Sequence, residues 1–592
     1  MLRPQISSYR DARRLDGLWN FVPDVDGVGH SERWWSAPLV DPVAMPVPAS
    51  FNDVLVDRGL RDHVGDVWYQ QSVTVPFGWS DQRVLLRFDA ATHQAIVWVG
   101  DALVVEHEGG YLPFEVDITS HVTPGASVRI TVCVNNELSW ETIPPGSVEQ
   151  TRAGGKKIRY FHDFFNYAGL HRSVWLHTRP QIHVEDVRIT TDIDGADGLV
   201  RCRASAGGAD AVVAELRSPT GELVATASGF DVELRVPEAL LWAPGRGNLY
   251  ELTTKALRGA DVVDEYRMPV GIRTVEVRGT EFLINGAPFY FRGFGMHEDH
   301  LVLGKGHDDV AMAHDFALLG WIGANSLRTS HYPYAEEILD HADRLGIVVI
   351  DETAAVGLNV GVGGGIMGGH IAPTFGEGPI GVAAQTALVQ HVRDLIDRDR
   401  NHPSVVMWSV ANEPESSTPE SREFFEPVFA AARNADDTRP VGFVNVMLAP
   451  PDRCLLSDLA DVVMINRYFG WYVDHGDLDA AEAALEAELR LWASRQSKPI
   501  LVTEYGADTV AGLHSVDGSP WTEEFQVQIL DRYHAVFDRI DAVVGEQVWN
   551  FADFATSASI VRVDGNKKGV FTRDRRPKMA AHRLRERWTA AS

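Results

Sequence analysis

The chain has 592 residues, more than one hydrophobic core can organise, so several domains are expected. Its makeup, 45% hydrophobic and 23% charged, is that of packed globular domains and excludes a disordered or fibrous protein. The formal net charge of −28, from 54 basic and 82 acidic residues, argues against nucleic acid and anionic membrane as partners, so an anionic substrate would need a local basic cluster working against the overall field.

Residues 1–180 read as short alternating segments, among them Arg83–Phe88, Ala95–Val99 and Ser127–Val134, separated by turn signals at Pro76-Phe-Gly78 and Pro124-Gly125. This pattern predicts a jelly-roll-like β-sandwich. The stretch Tyr160-Phe-His-Asp-Phe-Phe-Asn-Tyr-Ala-Gly169 is unusually aromatic for a loop. It either packs against another domain or lends Asp163 to a neighbouring site. Residues 181–273 repeat the short-strand rhythm, with Ile182–Thr190 and Val232–Val236 alternating well, over the length of an immunoglobulin-like sandwich. No polar cluster stands out there, and the segment reads as a spacer.

The first ten residues carry no apolar run, so no signal peptide is expected. Cys133, Cys202 and Cys454 lie far apart and fit neither a CxxC site nor a disulfide framework, which points to a reducing cytoplasm. No stretch reaches the roughly 18 apolar residues of a membrane span.

From residue 274 to 592 the rhythm becomes strand followed by amphipathic helix. Candidate strands are Phe289–Gly293, Ala324–Arg328, Ile347–Ile350, Val405–Trp408, Val441–Val444, Val462–Ile465, Ile500–Thr503 and Val544–Trp549. Helical segments such as Asp309–Leu319 and Ala480–Trp492 fall between them. Eight such units predict a (β/α)8 barrel, whose active sites form at the C-terminal ends of the strands. Two strands deliver a carboxylate there. One runs Ser404-Val-Val-Met-Trp-Ser-Val-Ala-Asn-Glu-Pro414, the other Pro499-Ile-Leu-Val-Thr-Glu504-Tyr-Gly506. Glu413 and Glu504 are therefore a candidate pair for glycoside hydrolysis, one as acid and base, the other as nucleophile or activator of water according to their separation. Asn412 is placed to hold a sugar 2-hydroxyl, and Tyr505 to orient the nucleophile.

Two motifs mimic a nucleotide site and a metal site, the second following strand 1, where it can help shape the pocket. Gly363, Gly365 and Gly368, within a long Gly-rich loop at 357–383, match GxGxxG but neither follow a strand directly nor open a helix, so the loop reads as a rim loop rather than a nucleotide site. His297-Glu-Asp-His300 spaces its histidines three apart rather than four, and no metal or cofactor is assigned.

Trp408-Ser-Val-Ala-Asn-Glu413-Pro and Thr503-Glu504-Tyr-Gly resemble the two signatures of the family 2 glycoside hydrolases, and the order of sandwich, immunoglobulin-like segment and barrel is similar to theirs. Among members, the match is closest to those acting on β-glucuronides. It is carried by Phe161-His-Asp-Phe-Phe-Asn-Tyr-Ala-Gly169, Arg328-Thr-Ser-His-Tyr-Pro333, Asn466-Arg-Tyr-Phe-Gly-Trp-Tyr472, Gly545-Glu-Gln-Val-Trp-Asn-Phe-Ala-Asp-Phe554 and Asn566-Lys-Lys-Gly569.

The resemblance implies a retaining, exo-acting enzyme with Glu413 as acid/base and Glu504 as nucleophile. It implies that Asn566 and Lys568 read the C6 carboxylate of a small-molecule glucuronide, with Arg562 joining them, and such charge-assisted bonds suit a carboxylate. Trp549 would floor the sugar ring, and Asp163, His331, Asn466, Tyr468 and Tyr472 would complete the pocket. A cis peptide bond between Trp549 and Asn550 and a homotetramer follow from the same resemblance. Neutral sugars, as in β-galactosidases and β-mannosidases, are rival substrates, as are galacturonides. A non-catalytic carbohydrate-binding barrel is the rival from another class, and the presence of both glutamates speaks against it.

Overall fold

The computed structural model describes residues 1–362 and 373–590, so the expected glycine run at Gly363, Gly365 and Gly368 lies outside the described residues. The N-terminal part is two antiparallel sheets face to face. The six-stranded sheet runs Val43–Val47, Gly17–Pro23, Asp66–Thr74, Ser127–Asn135, Gln94–Val99, Ala102–Glu108. The four-stranded sheet runs Ala12–Arg14, Val174–Arg179, Arg83–Phe88, Phe114–Asp117. Alternation decides what each face buries. Val67, Tyr69 and Val73 join Ile130, Val132 and Val134 in one core with Trp19, Phe88 and Leu176. The second sandwich packs a three-stranded on a four-stranded sheet around Val187, Val200, Val212 and Leu252.

The rest closes into a barrel of eight parallel strands: β1 (Phe291–Gly295), β2 (Ser326–Arg328), β3 (Val348–Glu352), β4 (Val405–Asn412), β5 (Val441–Asn445), β6 (Val463–Asn466), β7 (Ile500–Glu504) and β8 (Val543–Val548). All eight residues of β4 are buried, as a strand covered on both faces must be. β1 starts two residues later than the apolar run at Phe289 suggests, because Ala287 and Pro288 pair with Ile284 and Leu283 in a small hairpin sheet. Helices on the outside begin and end at the expected signals. Asp308 caps Asp309–Ile322 by accepting from the Ala311 amide, and Gly323 ends it at φ 84°. Thr418 caps Pro419–Ala435, with proline at the first turn. Among the described residues no helix is long and apolar enough to cross a membrane.

The hairpin and the second sandwich seal the barrel floor. Phe282 and Ile284 from the hairpin and Trp242 from the sandwich pack on Phe291, Ile350, Met407, Val444, Met464 and Leu501. Arg273 donates to the carbonyls of Pro403 (3.0 Å) and Val405 (2.8 Å), bracing the start of β4. The spacer reading therefore missed a contribution: alternation shows which residues leave the sheet, not what they meet. At the opposite end the N-terminal sandwich is fixed to the rim. Buried Arg172 donates to Glu298 at 3.0 Å and to the Pro333 carbonyl at 2.6 Å, and the Phe165 amide bonds the Ala555 carbonyl at 2.9 Å.

Candidate active site

Glu413 leaves β4 with φ 48°, and His331, just past β2, has φ 76°. Such left-handed conformations cost about 1–3 kcal/mol each outside glycine and persist where the surroundings hold them. The Glu413 carboxylate accepts from Asn466 Nδ2 at 3.0 Å. That amide is oriented from behind, since Asn466 Oδ1 accepts from Thr503 at 2.9 Å, and its Nδ2 also lies 3.4 Å from Asn412 Oδ1.

Glu504, closing β7, has two donors. Arg328 Nη2 lies 2.5 Å from Oε1 and the Tyr468 hydroxyl 2.6 Å from Oε2. The fully buried Arg328 also reaches both oxygens of Glu352 at 2.8 and 2.9 Å and approaches Asn412 Oδ1 at 3.4 Å. Glu352 in turn accepts from Ser409 and from the His331 amide, each at 2.7 Å. Burial works to raise Glu352, but the Arg328 guanidinium holds it down at about 2. Burial pushes Glu504 up to about 7, against the pull of Arg328 and Tyr468 and with the Glu413 carboxyl adding to the rise. Burial also raises Glu413, opposed first by the Asn466 amide.

Tyr505 does not orient Glu504. Its hydroxyl meets His534 Nε2 at 2.9 Å, because neighbours on a strand point to opposite faces. Arg328 and Glu352 were passed over as site residues. Both close barrel strands, the same signal that singled out Glu413 and Glu504.

The turn at Asn566–Gly569 lies across the ends of β7 and β8. The Lys567 carbonyl accepts from the Thr509 amide (2.9 Å) and the Lys568 carbonyl from the Asn550 amide (3.1 Å). Lys568 is buried, with Nζ 2.8 Å from the Tyr472 hydroxyl, in contact with Asp508 Oδ2, and 4.8 Å from the Tyr472 ring centre. Arg562 bonds Asp163 (3.0 Å), Asp508 (3.1 Å) and Tyr472 (2.9 Å), and Asn566 Nδ2 bonds Asp163 Oδ2 at 3.0 Å. Asp163 thus reaches the rim from the N-terminal sandwich, as the aromatic loop suggested. Asp508 was not foreseen, because its partners, Arg562 and the returning 566–569 turn, lie more than fifty residues away in sequence.

Trp549 follows β8 and closes the apolar side, its ring 4.9 Å from that of His331 and 5.7 Å from Phe554. Gly295 makes room for it: a Cβ there would sit 2.6 Å from Trp549 Cε3. The peptide bond between Trp549 and Asn550 is cis. Burial pushes His331 down to about 4, so its ring is neutral, with Nε2 3.9 Å from Glu504. The His297–His300 residues part ways. His297 meets the Tyr332 hydroxyl at 3.1 Å, Glu298 pairs with Arg172 at 3.0 Å, Asp299 with Arg573 at 2.5 Å, and His300 lies 3.8 Å from Asp315.

Three family models cover the chain. Residues 12–180 match the sugar binding domain of glycosyl hydrolases family 2, 182–273 its middle domain and 275–592 its TIM barrel domain. A β-glucuronidase from Paenibacillus borealis is 46% identical over 99% of this chain and 98% of that protein, and one from Rattus norvegicus 43% identical over 99% and 92%. A solved β-glucuronidase from Ruminococcus gnavus superposes with a TM-score of 0.95 at 39% identity, covering 99% of each chain. A β-glucuronidase from Ruminococcus gnavus in complex with D-glucuronic acid gives 0.94 at 39% identity, again over 99% of each chain.

Proposed function

The chain belongs to family 2 of the glycosyl hydrolases, and we propose that it is a retaining exo-β-D-glucuronidase releasing glucuronic acid from small conjugates by double displacement. The observation that carries this reading is the buried Lys568, flanked by Arg562 and Asn566 on the rim that also holds Glu413 and Glu504. Two cations, Lys568 and Arg562, placed on the rim by Asp508 and Asp163 in a chain of net charge −28, offer donors fitted to an anionic sugar. The related enzyme solved with D-glucuronic acid supports the same substrate class.

In this mechanism Glu504 attacks the anomeric carbon as Glu413 protonates the departing glycosidic oxygen. Glu413 then takes a proton from water, which opens the glycosyl ester on Glu504. The donors favour that division. A guanidinium and a phenol favour the ionised form of Glu504 against the burial that pushes it up to about 7, while Glu413, also raised by burial, has one neutral amide to favour its ionised form. Asn412 serves the 2-hydroxyl, Trp549 floors the ring, and Asn566, Lys568 and Arg562 take the C6 carboxylate. Asp163, His331, Asn466, Tyr468 and Tyr472 shape the rest. The free, buried Cys133, Cys202 and Cys454 support a cytoplasmic setting, and the family resemblance supports a homotetramer.

Nitrophenyl glucuronide, galacturonide, galactoside and mannoside assayed together test the reading. Turnover confined to the glucuronide, with the β-anomer of glucuronic acid appearing first by proton NMR, is the expected result. A faster galactoside, or the α-anomer first, would overturn it. Tyr468→Phe should also move the acidic limb of the kcat/KM profile upward by about one pH unit, since a lost donor to the ionised form raises the pKa. An unmoved limb would separate Tyr468 from the nucleophile.

A further inference from the structure

Away from the barrel, on the outer face of the six-stranded sheet, three residues of metal-ligating type converge. Cys133 and Asp66 lie on adjacent strands, paired through Trp68↔Cys133 and Asp66↔Asn135, which sets them diagonally on one face. His30 comes down on them from the loop after the strand Gly17–Pro23. His30 Nε2 is 3.7 Å from Cys133 Sγ and 3.4 Å from Asp66 Oδ2, and ligand atoms of the three all lie within 4.8 Å of one another. Around one tetrahedral zinc ion, bonds of about 2.3 Å to sulfur and about 2.0–2.1 Å to nitrogen and oxygen place such atoms about 3.3–3.6 Å apart. The two His30 spacings are close to those.

The surroundings hold the set in place. Asn135 Nδ2 donates to Asp66 Oδ1 at 2.7 Å, which turns the other oxygen toward His30, the outer support that metal-binding carboxylates receive. The His30 loop is itself tied down, with the Val28 and Gly29 amides donating to Asp24 at 2.8 Å each. Gly29 cannot carry a side chain, since a Cβ would lie 2.5 Å from Trp68 Nε1. Trp68 and Trp98 wall the buried Cys133, while the His30 side chain is 44% exposed, leaving a fourth position facing solvent.

We propose that His30, Asp66 and Cys133 bind one divalent transition-metal ion of the zinc class, with water as the fourth ligand. Binding transfers the Cys133 thiol proton to solvent and forms a sulfur–metal bond. Thiolate and carboxylate then balance the two positive charges, so the filled site is neutral. A thiolate and imidazole pair selects zinc and its neighbours over magnesium or calcium.

Cobalt(II) added to chelator-treated full-length protein is the probe. One cobalt per chain should bind with a sulfur-to-cobalt charge-transfer band and be displaced by zinc(II). Cys133→Ser should abolish the band. His30→Ala, at an exposed position that does not threaten folding, should weaken binding about tenfold or more. Nitrophenyl glucuronide hydrolysis should be unchanged in both. Failure to take up cobalt, or uptake equal in wild type and His30→Ala, would overturn the site. The latter would assign binding to other groups such as Asp340, Asp343 and His402, which also lie close together.

Discussion

Glu504→Ala is expected to abolish turnover of every glucuronide, by about 10⁴-fold or more, because a residue that makes the covalent intermediate has no substitute among its neighbours. Glu413→Ala should behave differently. General acid assistance contributes about 10²–10⁴-fold, and the demand for it falls as the leaving group becomes a stronger acid. A nitrophenyl glucuronide should therefore lose far less in kcat/KM than an alkyl glucuronide. Azide should restore turnover in both variants with opposite stereochemistry: a β-glucuronyl azide with Glu413→Ala, where Glu504 still forms the intermediate, and an α-glucuronyl azide with Glu504→Ala, where azide attacks directly. The geometry underlies the contrast. Arg328 and Tyr468 grip Glu504 at 2.5 and 2.6 Å, whereas Glu413 meets one amide at 3.0 Å. Equal losses on good and poor leaving groups in Glu413→Ala would remove it from the acid role.

The barrel was legible because its strands are buried on both faces and read as unbroken apolar runs, and their ends point at the site. Glu413 and Glu504 stood out as carboxylates that no buried strand would otherwise carry. What stayed hidden depends on residues distant in sequence. Asp508 follows Glu504 by four residues and looks like any loop acid until Lys568, sixty residues on, packs against it. Arg328 was visible in a quoted motif, but its tie to both Glu352 and Glu504 needs three strand ends in register around the barrel. Tyr505 went astray for the opposite reason. Adjacency in sequence places a side chain on the other face of a strand, so Tyr468, from a different loop, takes the contact with Glu504. The second sandwich's role in bracing β4 was equally out of reach, since alternation gives faces and not neighbours.

Lys568→Ala should lower kcat/KM for glucuronides by roughly 10- to 150-fold or more, the equivalent of about 1.5–3 kcal/mol for each charge-assisted hydrogen bond lost. A glucoside carries a hydroxymethyl group where a glucuronide carries a carboxylate. In the intact site it leaves the buried ammonium with Asp508 and Tyr472 but without the substrate carboxylate, and sites with unmet polar groups discriminate by up to roughly 10⁴–10⁵. Removing Lys568 relieves that mismatch, so the faint glucoside activity should hold or rise slightly. The substitution does not strip Asp508 bare, which keeps Arg562 at 3.1 Å and the Lys567 amide at 2.9 Å, so a gross collapse of the rim is not the expected cause of the loss. Lys567→Ala is the internal control. Its ammonium reaches Asp564, whose side chain is fully exposed, at 3.3 Å, and a pair open to solvent on one side contributes about 0–1 kcal/mol. Glucuronide kinetics should stay close to wild type. Should Lys568→Ala lower glucuronide and glucoside hydrolysis by the same factor, Lys568 would only support the fold of the rim. The selectivity for the charged sugar would then have to come from Arg562 and Asn566, and Arg562→Ala would be the variant that separates the two substrates.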